Sequence, residues 1–417
     1  MNKEDYNIHI IGAGISGLIA ATVLENNGYK PIILDNTDRA GGRVKTDIVE
    51  GYQLDHGFQV LLTAYPAAQK YLNYEALELQ PFLPGAAIFT NGTQKIIGDP
   101  LRNLGLLFPT LRSGIGNITD KIKILQLNAY LKKTSIAAIF SAPEKTTHQY
   151  LVDFGFSETI ITTFFKPFFS GIYLEPDLNT SSRMFEFVYK MFGEGNAALP
   201  KAGIEAIPQQ LKANLKYTQF QFNQYVIKVT DNQIFLKNGT ALPTDFTIIA
   251  TEPSQLIENL RNQEAAWKGC DTLYFEANKK VIKKPLIGLV ASKNALINNI
   301  FFHNSLNSNS SGQKELLSVT VVKNHNLSNA ELIETVKEEL AKYCGIDSIR
   351  FLKHYAIPKA LPNLSHLKFD VLPSETRLTD TIFLAGDIQL NGSLNAAINA
   401  GEKAALGIIE KLSNTMV

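Results

Sequence analysis

Three glycines near the start of the chain are spaced to hold a phosphate group. Gly12, Gly14 and Gly17 follow the apolar run 8–11, and the residues after them, 18–24, favour a helix. The first glycine permits a tight turn from strand to helix, the second lets the backbone approach a pyrophosphate, and the third lets helix and strand pack closely. A pyrophosphate would then lie at the positive end of the helix dipole. The pattern predicts a dinucleotide-binding site.

An acidic residue, Asp35, closes the next apolar run, eighteen residues after Gly17. Its carboxylate would accept hydrogen bonds from the adenosine ribose hydroxyls, and its charge would repel a 2′-phosphate. NADP is therefore the least expected occupant, and FAD and NAD both remain open. Because strand, glycines, helix and acid occur in the expected order, a dinucleotide site is favoured over an incidental glycine turn.

Further along the chain, other segments indicate which dinucleotide binds. Paired glycines and basic residues follow the acid in the segment 38–46, which reads DRAGGRVKT. With GAGISGL at residues 12–18 and Asp35, this segment resembles the flavin-containing amine oxidases, protoporphyrinogen oxidases and phytoene-type desaturases. The segment 51–60, GYQLDHGFQV, is similar to the stretch whose backbone lies along the flavin ring in that superfamily. The segment 382–401 is similar to its closing signature.

This resemblance implies both a fold and a cofactor. The fold would be α/β, with a Rossmann-like, glutathione-reductase-like FAD-binding domain interleaved with an α+β substrate-binding domain. FAD would be bound non-covalently, because neither Cys270 nor Cys344 lies in a segment that resembles a flavin-attachment site.

The resemblance also assigns cofactor contacts at the end of the chain. Asp387 would bind the ribityl or phosphate region, and backbone N–H groups near Ser393 and Leu394 would face the pyrimidine end of the flavin. A helix N-terminus there would stabilise the negative charge of reduced flavin. The residue that matches Val226 touches adenine in the family. The predicted cofactor contacts are Gly12, Gly14, Ile15, Ser16, Gly17, Asp35, Asn36, Gly41, Gly42, Arg43, Gly57, Phe58, Gln59, Val226, Gly386, Asp387, Ser393 and Leu394.

The family-like segments are far apart in the sequence, so the two domains are expected to interleave. Residues 1–80, 205–255 and 380–417 would form the FAD-binding domain. Residues 81–204 and 256–379 would form the substrate-binding domain.

Composition limits the class of protein. The chain has 417 residues, 45% of them apolar and 19% charged, which is typical of a folded protein of two or three domains. The formal net charge of +1 gives no sign of the strongly basic surface that binds nucleic acid. Two distant cysteines give no disulfide framework, and the seven histidines show no metal-ligand spacing, so we expect no metal site and a reducing, cytoplasmic setting. The polar first residues leave no room for a signal peptide, and no apolar run is long enough to span a membrane.

Peripheral contact with a membrane remains an alternative for one region. Residues 104–109 and 118–133 can form amphipathic helices, with Ile118, Ile122, Leu125 and Ala129 on one face. We favour a helix pair that faces the core and covers a pocket, and we keep attachment to a membrane surface as the second interpretation.

The sequence offers few candidates for catalytic side chains, because a flavin carries the redox chemistry itself. His56 and Gln59 flank Gly57 in the segment that resembles the ring-contacting stretch, and His56 would relay a proton or simply pack there. Many amine oxidases place a lysine near flavin N5. Lys166 is the candidate for that role, although the residues around it do not match the family. Tyr355 is the nearest match to an aromatic cage.

Aromatic residues in the segments 154–173 and 185–192 suggest a large apolar substrate cavity. The sequence therefore predicts an FAD-dependent oxidoreductase that removes hydride from a C–N or C–C bond of a mostly apolar small molecule, an amine among them. Oxygen or another acceptor would reoxidise the flavin. Two alternatives stay open. One is a flavin-dependent isomerase of a polyene-like substrate without net redox change, and the other is a binding protein similar to Rab escort and GDP-dissociation inhibitor proteins.

Overall fold

The computed structural model describes residues 2–90, 92–99 and 102–415. The predicted domain ranges also contain six residues that lie outside this description: Met1, Asn91, Pro100, Leu101, Met416 and Val417.

Strands occupy both halves of the chain. In chain order they are β1 (Ile8–Ile11), β2 (Ile32–Leu34), β3 (Thr46–Val49), β4 (Tyr52–Asp55), β5 (Leu61–Leu62), β6 (Gln80–Pro81), β7 (Gly85–Thr90), β8 (Thr93–Gly98), β9 (Ala197–Leu199), β10 (Gln219–Gln221), β11 (Val226–Val229), β12 (Gln233–Leu236), β13 (Ala241–Pro243), β14 (Phe246–Ile249), β15 (Trp267–Ala277), β16 (Ile287–Val290), β17 (Ile297–Phe302), β18 (Glu315–Val321), β19 (Ile349–Pro362) and β20 (Ile382–Leu384).

Helices concentrate in the middle of the chain and at its last described residues. In chain order they are α1 (Ile15–Asn26), α2 (Pro66–Tyr71), α3 (Leu107–Arg112), α4 (Ile118–Lys133), α5 (Ile136–Ser141), α6 (Thr147–Asp153), α7 (Glu158–Ile160), α8 (Lys166–Tyr173), α9 (Ser182–Glu194), α10 (Ala206–Ala213), α11 (Asn329–Glu339) and α12 (Leu394–Thr415). Capping boxes begin two of them, Asn117 with Asp120 at α4 and Ser328 with Glu331 at α11.

A five-stranded parallel sheet in the order β10-β2-β1-β14-β20 forms the first layer. Strands β1 and β14 are buried along their whole length, as expected of a parallel sheet covered on both faces. The strands come from three separate parts of the chain. The interleaving of two domains and its boundaries stay a prediction.

Helices α1 and α12 pack tightly on this sheet. The hydroxyl of Ser16 donates to the carbonyl of Ala397 at 2.6 Å. A Cβ on Gly401 would lie 2.2 Å from the Ser16 carbonyl oxygen, so a glycine is needed for the two helices to approach this closely. The N-terminal ends of both helices therefore lie near one another at the same edge of the sheet.

A seven-stranded sheet in the order β19-β15-β18-β17-β16-β7-β8 forms the second layer, with only β7 and β16 parallel. One face packs on α11 through an apolar cluster that includes Leu332 and Val336. The other face lies against α8, where a Cβ on Gly171 would meet the side chain of Asn299 at 2.9 Å. Aromatic rings of α8 and α9 interlock beyond it, with the Phe169 and Phe185 centroids 4.8 Å apart.

Helix α4 corrects one prediction. Its buried side holds Leu127 and Leu131, whereas Ile118, Ile122 and Leu125 are 77%, 50% and 44% exposed. The expectation that the side with Ile118, Ile122 and Leu125 faces the core is wrong. The helix is apolar on two sides, and only the other side packs against the rest of the protein. Across the described residues, no helix has the length and apolarity needed to cross a bilayer.

Candidate functional site

The glycine turn between β1 and α1 has the predicted geometry. Gly12 has a φ of +106°, and a Cβ there would lie 2.7 Å from the Thr251 side chain. A Cβ on Gly17 would lie 1.9 Å from the Gly12 carbonyl oxygen, which no side chain can tolerate. Gly14 caps α1, which begins at Ile15. The first N–H groups of the helix, those of Ile15 and Ser16 among them, have no partner within the helix and are free to bind an anion.

The paired-glycine loop lies directly against this turn. The N–H of Gly41 donates to the carbonyl of Ala13 at 2.9 Å. Gly42 has a φ of +61°, and a Cβ on it would lie 3.1 Å from the Cα of Gly14. The backbones of the two glycine segments are therefore in contact, and both segments would border a phosphate bound at the turn.

Asp35 joins the same two segments from the end of β2. One carboxylate oxygen accepts from the N–H of Ala13 at 2.7 Å, and the other accepts from the N–H and hydroxyl of Thr37 at 2.8 and 2.7 Å. Asn36 is exposed. Carboxylate oxygens can accept further hydrogen bonds, so these contacts leave room for ribose hydroxyls on Asp35. The ribose contact itself stays a prediction.

Arg43 connects this loop to the far end of the chain. Its guanidinium pairs with Asp387 at 2.5 Å and donates to the carbonyl of Ala360 at 3.0 Å. It also lies over the Trp267 ring, 5.3 Å from the centroid. Gly386, with a φ of +108°, turns the chain so that the buried Asp387 faces the arginine.

The start of α12 is fixed by Ser393. Its hydroxyl accepts from the N–H of Ala396 at 3.0 Å and donates to the Asn391 side chain at 2.7 Å. The helix begins at Leu394, one residue later. The backbone N–H groups of this first turn are the ones predicted to face the flavin, and that contact stays a prediction.

Val226 lies at the start of β11. Its side chain is buried in an apolar cluster with Ile11, Leu34 and Ile249, at the C-terminal ends of β1, β2 and β14. Its predicted contact with adenine stays a prediction.

A hydrogen-bond network connects two of the predicted catalytic residues. His56 Nε2 donates to one oxygen of Asp47 at 2.8 Å, and the Tyr355 hydroxyl donates to the same oxygen at 2.9 Å. The two rings are in contact at an interplanar angle of 33°, with centroids 4.5 Å apart. Burial opposes ionisation of Asp47, but hydrogen bonds from His56, Tyr355 and Arg39 outweigh it and lower the pKa of Asp47 to about 2. Asp47 is therefore an anion at neutral pH.

Gln59 holds the predicted ring-contacting stretch in place. Its amide nitrogen donates to the carbonyls of Arg43 and His56 at 2.9 and 2.8 Å. Gly57 has a φ of +92°, which favours glycine there. Phe58 packs into a neighbouring aromatic cluster. The structure thus brings His56, Gln59 and Tyr355 together around this stretch.

Lys166 lies apart from these residues. Its ammonium pairs with Asp177 at 3.3 Å, and its side chain is 42% exposed. This position gives no support to a role beside the flavin. A different lysine, Lys268 at the start of β15, is half-buried and donates to the Thr180 hydroxyl at 3.0 Å. Burial lowers the pKa of Lys268. No motif marks Lys268, so sequence reasoning missed it.

Across the seven-stranded sheet, uncharged polar side chains form a row on the face that meets α8. The strand registers place Asn299 opposite Thr320, Thr320 opposite Thr272, and Thr272 opposite Tyr355. The first three are at most 3% exposed. Asn299 donates to the Thr320 hydroxyl at 3.3 Å, whereas the Thr272 hydroxyl has no oxygen or nitrogen partner among the described residues and interacts only with the Cys270 thiol.

Helix α8 adds further polar atoms of the same kind. The hydroxyls of Ser170 and Tyr173 are buried and find no partner in the described part of the chain. A buried hydroxyl without a partner costs about 1–3 kcal/mol, so these groups are candidates to bind a ligand. The order of strands in the sheet could not be predicted from the sequence, and sequence reasoning therefore missed this row.

An open cleft of about 440 Å³ lies beside β4 and is lined by Gln53, Asp55 and His303, among others. Burial raises the pKa of Asp55 to about 6 and lowers that of His303 to about 4. One oxygen of Asp55 accepts from the Thr46 hydroxyl at 2.6 Å and from the N–H of Ile204 at 3.1 Å. The described residues hold no cluster of three or more His, Cys, Asp or Glu side chains that could bind a metal ion.

Replacing Asp55 with asparagine is expected to flatten the pH dependence of stability. The folded-state pKa lies above the usual value of 3.8, so the unfolded chain loses its proton first and stability falls as pH rises from about 4 to about 6. The loss is on the order of 3 kcal/mol and persists at higher pH. Urea unfolding of both proteins below, within and above this range tests the prediction. Parallel pH profiles for the wild type and Asp55→Asn would contradict it.

Comparison with known proteins identifies the family. The family model described as flavin-containing amine oxidoreductase matches residues 15–409. The chain belongs to this family. Membership confirms the predicted superfamily, its α/β FAD-binding fold and FAD as the cofactor. The matched family is described as one of oxidoreductases, which favours the predicted redox enzyme over the alternative of an escort-type binding protein.

Individual relatives are distant. An L-amino-acid oxidase from Protobothrops flavoviridis is 26% identical over 262 residues, which cover 59% of this chain and 52% of the relative. The chain spans about half the length of the curated relatives it matches. A wild-type putrescine oxidase bound to putrescine has a TM-score of 0.68 at 16% identity, covering 97% of this chain and 99% of its own. An oxidoreductase from Methanosarcina mazei has a TM-score of 0.75 at 15% identity, covering 97% and 100%. These two structures show a shared fold.

Proposed function

We propose that the chain is an FAD-dependent oxidoreductase that removes hydride from a C–N or C–C bond of a mostly apolar small molecule. Oxygen or another acceptor takes up the electrons. Family membership supports the redox class. The observation that carries the substrate class is the uncharged row formed by the buried Asn299, Thr320 and Thr272 and the partly buried Tyr355, which ends beside His56.

The residues that would hold FAD fit the group. The Gly17 position admits no Cβ, and the glycine turn and the paired-glycine loop present backbone N–H groups where a pyrophosphate would lie. Arg43 with Asp387 would border the ribityl chain, and the first turn of α12 would face the pyrimidine end. When bound, FAD supplies the acceptor for the hydride.

His56 is placed to hold a proton near the predicted ring-contacting stretch. Because Asp47 is ionised, it accepts from His56 Nε2 and fixes the tautomer of a neutral imidazole. The other ring nitrogen, Nδ1, then lacks a proton and can accept one. Tyr355 donates to the same Asp47 oxygen, and its ring packs against the imidazole and restrains it.

The substrate would carry at least one neutral hydrogen-bonding group. Ser170 and Tyr173 from α8 supply buried hydroxyls that have no partner among the described residues, and Thr272 from the sheet supplies one that interacts only with the Cys270 thiol. A fully charged substrate would need a buried counter-charge. Lys268 is a half-buried charged group near this region; burial lowers its pKa, and the charge of Glu175 raises it. Because charged side chains are present here, an amine and an amino acid are included among the test compounds.

Anaerobic mixing with a panel of compounds tests the proposal. The panel contains apolar amines, a polyene hydrocarbon and a neutral polyene alcohol. It also contains an L-amino acid and a diamine, because an L-amino-acid oxidase and a putrescine oxidase are among the similar proteins. We expect the visible flavin band to bleach with an apolar compound and the product to lose two hydrogens. Rearrangement of a polyene at unchanged mass would favour the isomerase alternative, and bleaching by charged compounds alone would contradict the apolar class.

The variant Thr272→Val separates a binding role from a structural one. Removing a buried hydroxyl whose only described partner is the weakly bonding Cys270 thiol is expected to change the stability of the fold by less than about 1 kcal/mol while it weakens substrate binding about tenfold. Thr320→Val is the matched control, because it removes a hydroxyl that Asn299 already bonds and should destabilise the fold. Thermal unfolding and KM on the substrate found above measure both effects. An unchanged KM in Thr272→Val would remove Thr272 from the substrate site.

A further inference from the structure

Exposed apolar side chains are concentrated in one segment of the sequence. The described residues expose fourteen large apolar side chains, and seven of them lie between positions 104 and 130. We call these seven the apolar patch: Leu104, Leu107, Phe108, Ile118, Ile122, Leu125 and Tyr130. Single exposed apolar residues are ordinary on a protein surface, but a concentration of this kind marks an interaction site.

The patch has a regular geometry on α4. Ile118, Ile122 and Leu125 are spaced by four and three residues, so they lie on one side of the helix. The opposite side is buried through Leu127 and Leu131. The outward side therefore presents apolar residues in helical register, although no element of the described chain covers it.

Basic residues are frequent in the same segment of the sequence. Residues 102–133 contain six lysines and arginines against one acid, a formal charge of +5, while the whole chain carries +1. The single acid, Asp120, is buried and caps α4 through Asn117. The cations are Arg102, Arg112, Lys121, Lys123, Lys132 and Lys133.

We propose that the apolar patch docks the protein on an anionic lipid surface. An exposed apolar helix side with lysines and arginines around it has the chemistry of an interfacial helix, whose side chains enter the boundary of the acyl chains while the cations meet lipid phosphates. No described helix is able to span the bilayer, so attachment is peripheral. A second copy of the chain fits this surface less well, because pairing two such patches would bring like charges together.

Vesicle sedimentation tests this proposal and needs no enzyme activity. We expect the FAD-loaded protein to bind vesicles that contain phosphatidylglycerol, to bind phosphatidylcholine vesicles at least about tenfold more weakly, and to be released by salt. The double variant Phe108→Ser/Ile118→Ser should lose about tenfold or more of the binding.

The control carries the same substitutions elsewhere. Phe108 and Ile118 are 66% and 77% exposed, and Ile48 and Leu372, at 69% and 63%, are their counterparts outside the patch. Ile48→Ser/Leu372→Ser should bind like the wild type. If the patch variant fails to fold, Lys132→Gln/Lys133→Gln at the end of α4 tests the electrostatic part of the proposal. Equal binding by both serine variants would overturn the proposal. So would a dimer in sedimentation velocity that only the patch variant converts to a monomer.

Discussion

We expect the Gly17→Ala protein to lose its bound flavin. A Cβ at this position would lie 1.9 Å from the Gly12 carbonyl oxygen and 3.3 Å from the Ile10 side chain. The first of these atoms is backbone, so α1 itself must move away from the sheet and the phosphate turn must open. The strain is expected to cost about 3 kcal/mol of unfolding free energy. The ratio of flavin to protein absorbance after purification, with thermal unfolding, measures both losses.

Gly193 provides the matched control for this variant. It also lies inside a helix, α9, but a Cβ there would meet nothing within 4 Å. Gly193→Ala should keep its flavin and gain roughly 0.5–1 kcal/mol, because alanine favours helix over glycine. If Gly17→Ala proves insoluble, Gly42→Ala tests the neighbouring close contact, in which the paired-glycine loop lies against Gly14 of the turn. Full flavin content in both site variants would show that the close approach is dispensable.

Replacing Arg43 with alanine should weaken FAD binding by roughly 10- to 100-fold, the equivalent of one or two charge-assisted hydrogen bonds. The guanidinium joins Asp387 to the carbonyl of Ala360 and covers the Trp267 ring. Without it, the buried Asp387 would be left as an unpaired charge in the predicted ribityl region. Reconstitution of the apoprotein with FAD, followed by fluorescence, gives the dissociation constant.

Arg350 offers a comparison at a different place in the fold. It pairs with the largely buried Glu276 and with Glu50, and its side chain is 50% exposed against 41% for Arg43. Arg350→Ala should leave FAD affinity unchanged. Arg43→Lys should give an intermediate value, since lysine keeps the charge but not the planar fork. Similar affinities for Arg43→Ala and Arg350→Ala would mean that Arg43 has no part in holding the cofactor.

The features that could be predicted from the sequence are local ones. Gly12, Gly17 and Asp35 belong to a single strand-helix-strand unit, and their spacing alone determines how they meet. The same holds for the turn at Gly386 and the helix after Ser393. In each case the residues that interact are close in the sequence, so a short motif describes the geometry.

The features that could not be predicted depend on distant contacts. Tyr355 and Asp47 are separated by 308 positions, and nothing in the neighbourhood of either residue indicates the other. The row that includes Thr272 exists only through the order and register of four strands. The orientation of α4 was equally out of reach, because periodicity identifies apolar sides but cannot choose between two of them.

The contact between α1 and α12 has a consequence for the order of folding. Ser16 and Ala397, joined by a hydrogen bond, are 381 positions apart, and the sheet beneath them also needs β10 and β14 from the middle of the chain. Such long loops close slowly, and a ribosome releases the early segments long before their partners exist. During synthesis the glycine turn therefore lacks its packing partner until α12 has been made. Cofactor capture becomes a late event in the maturation of this protein.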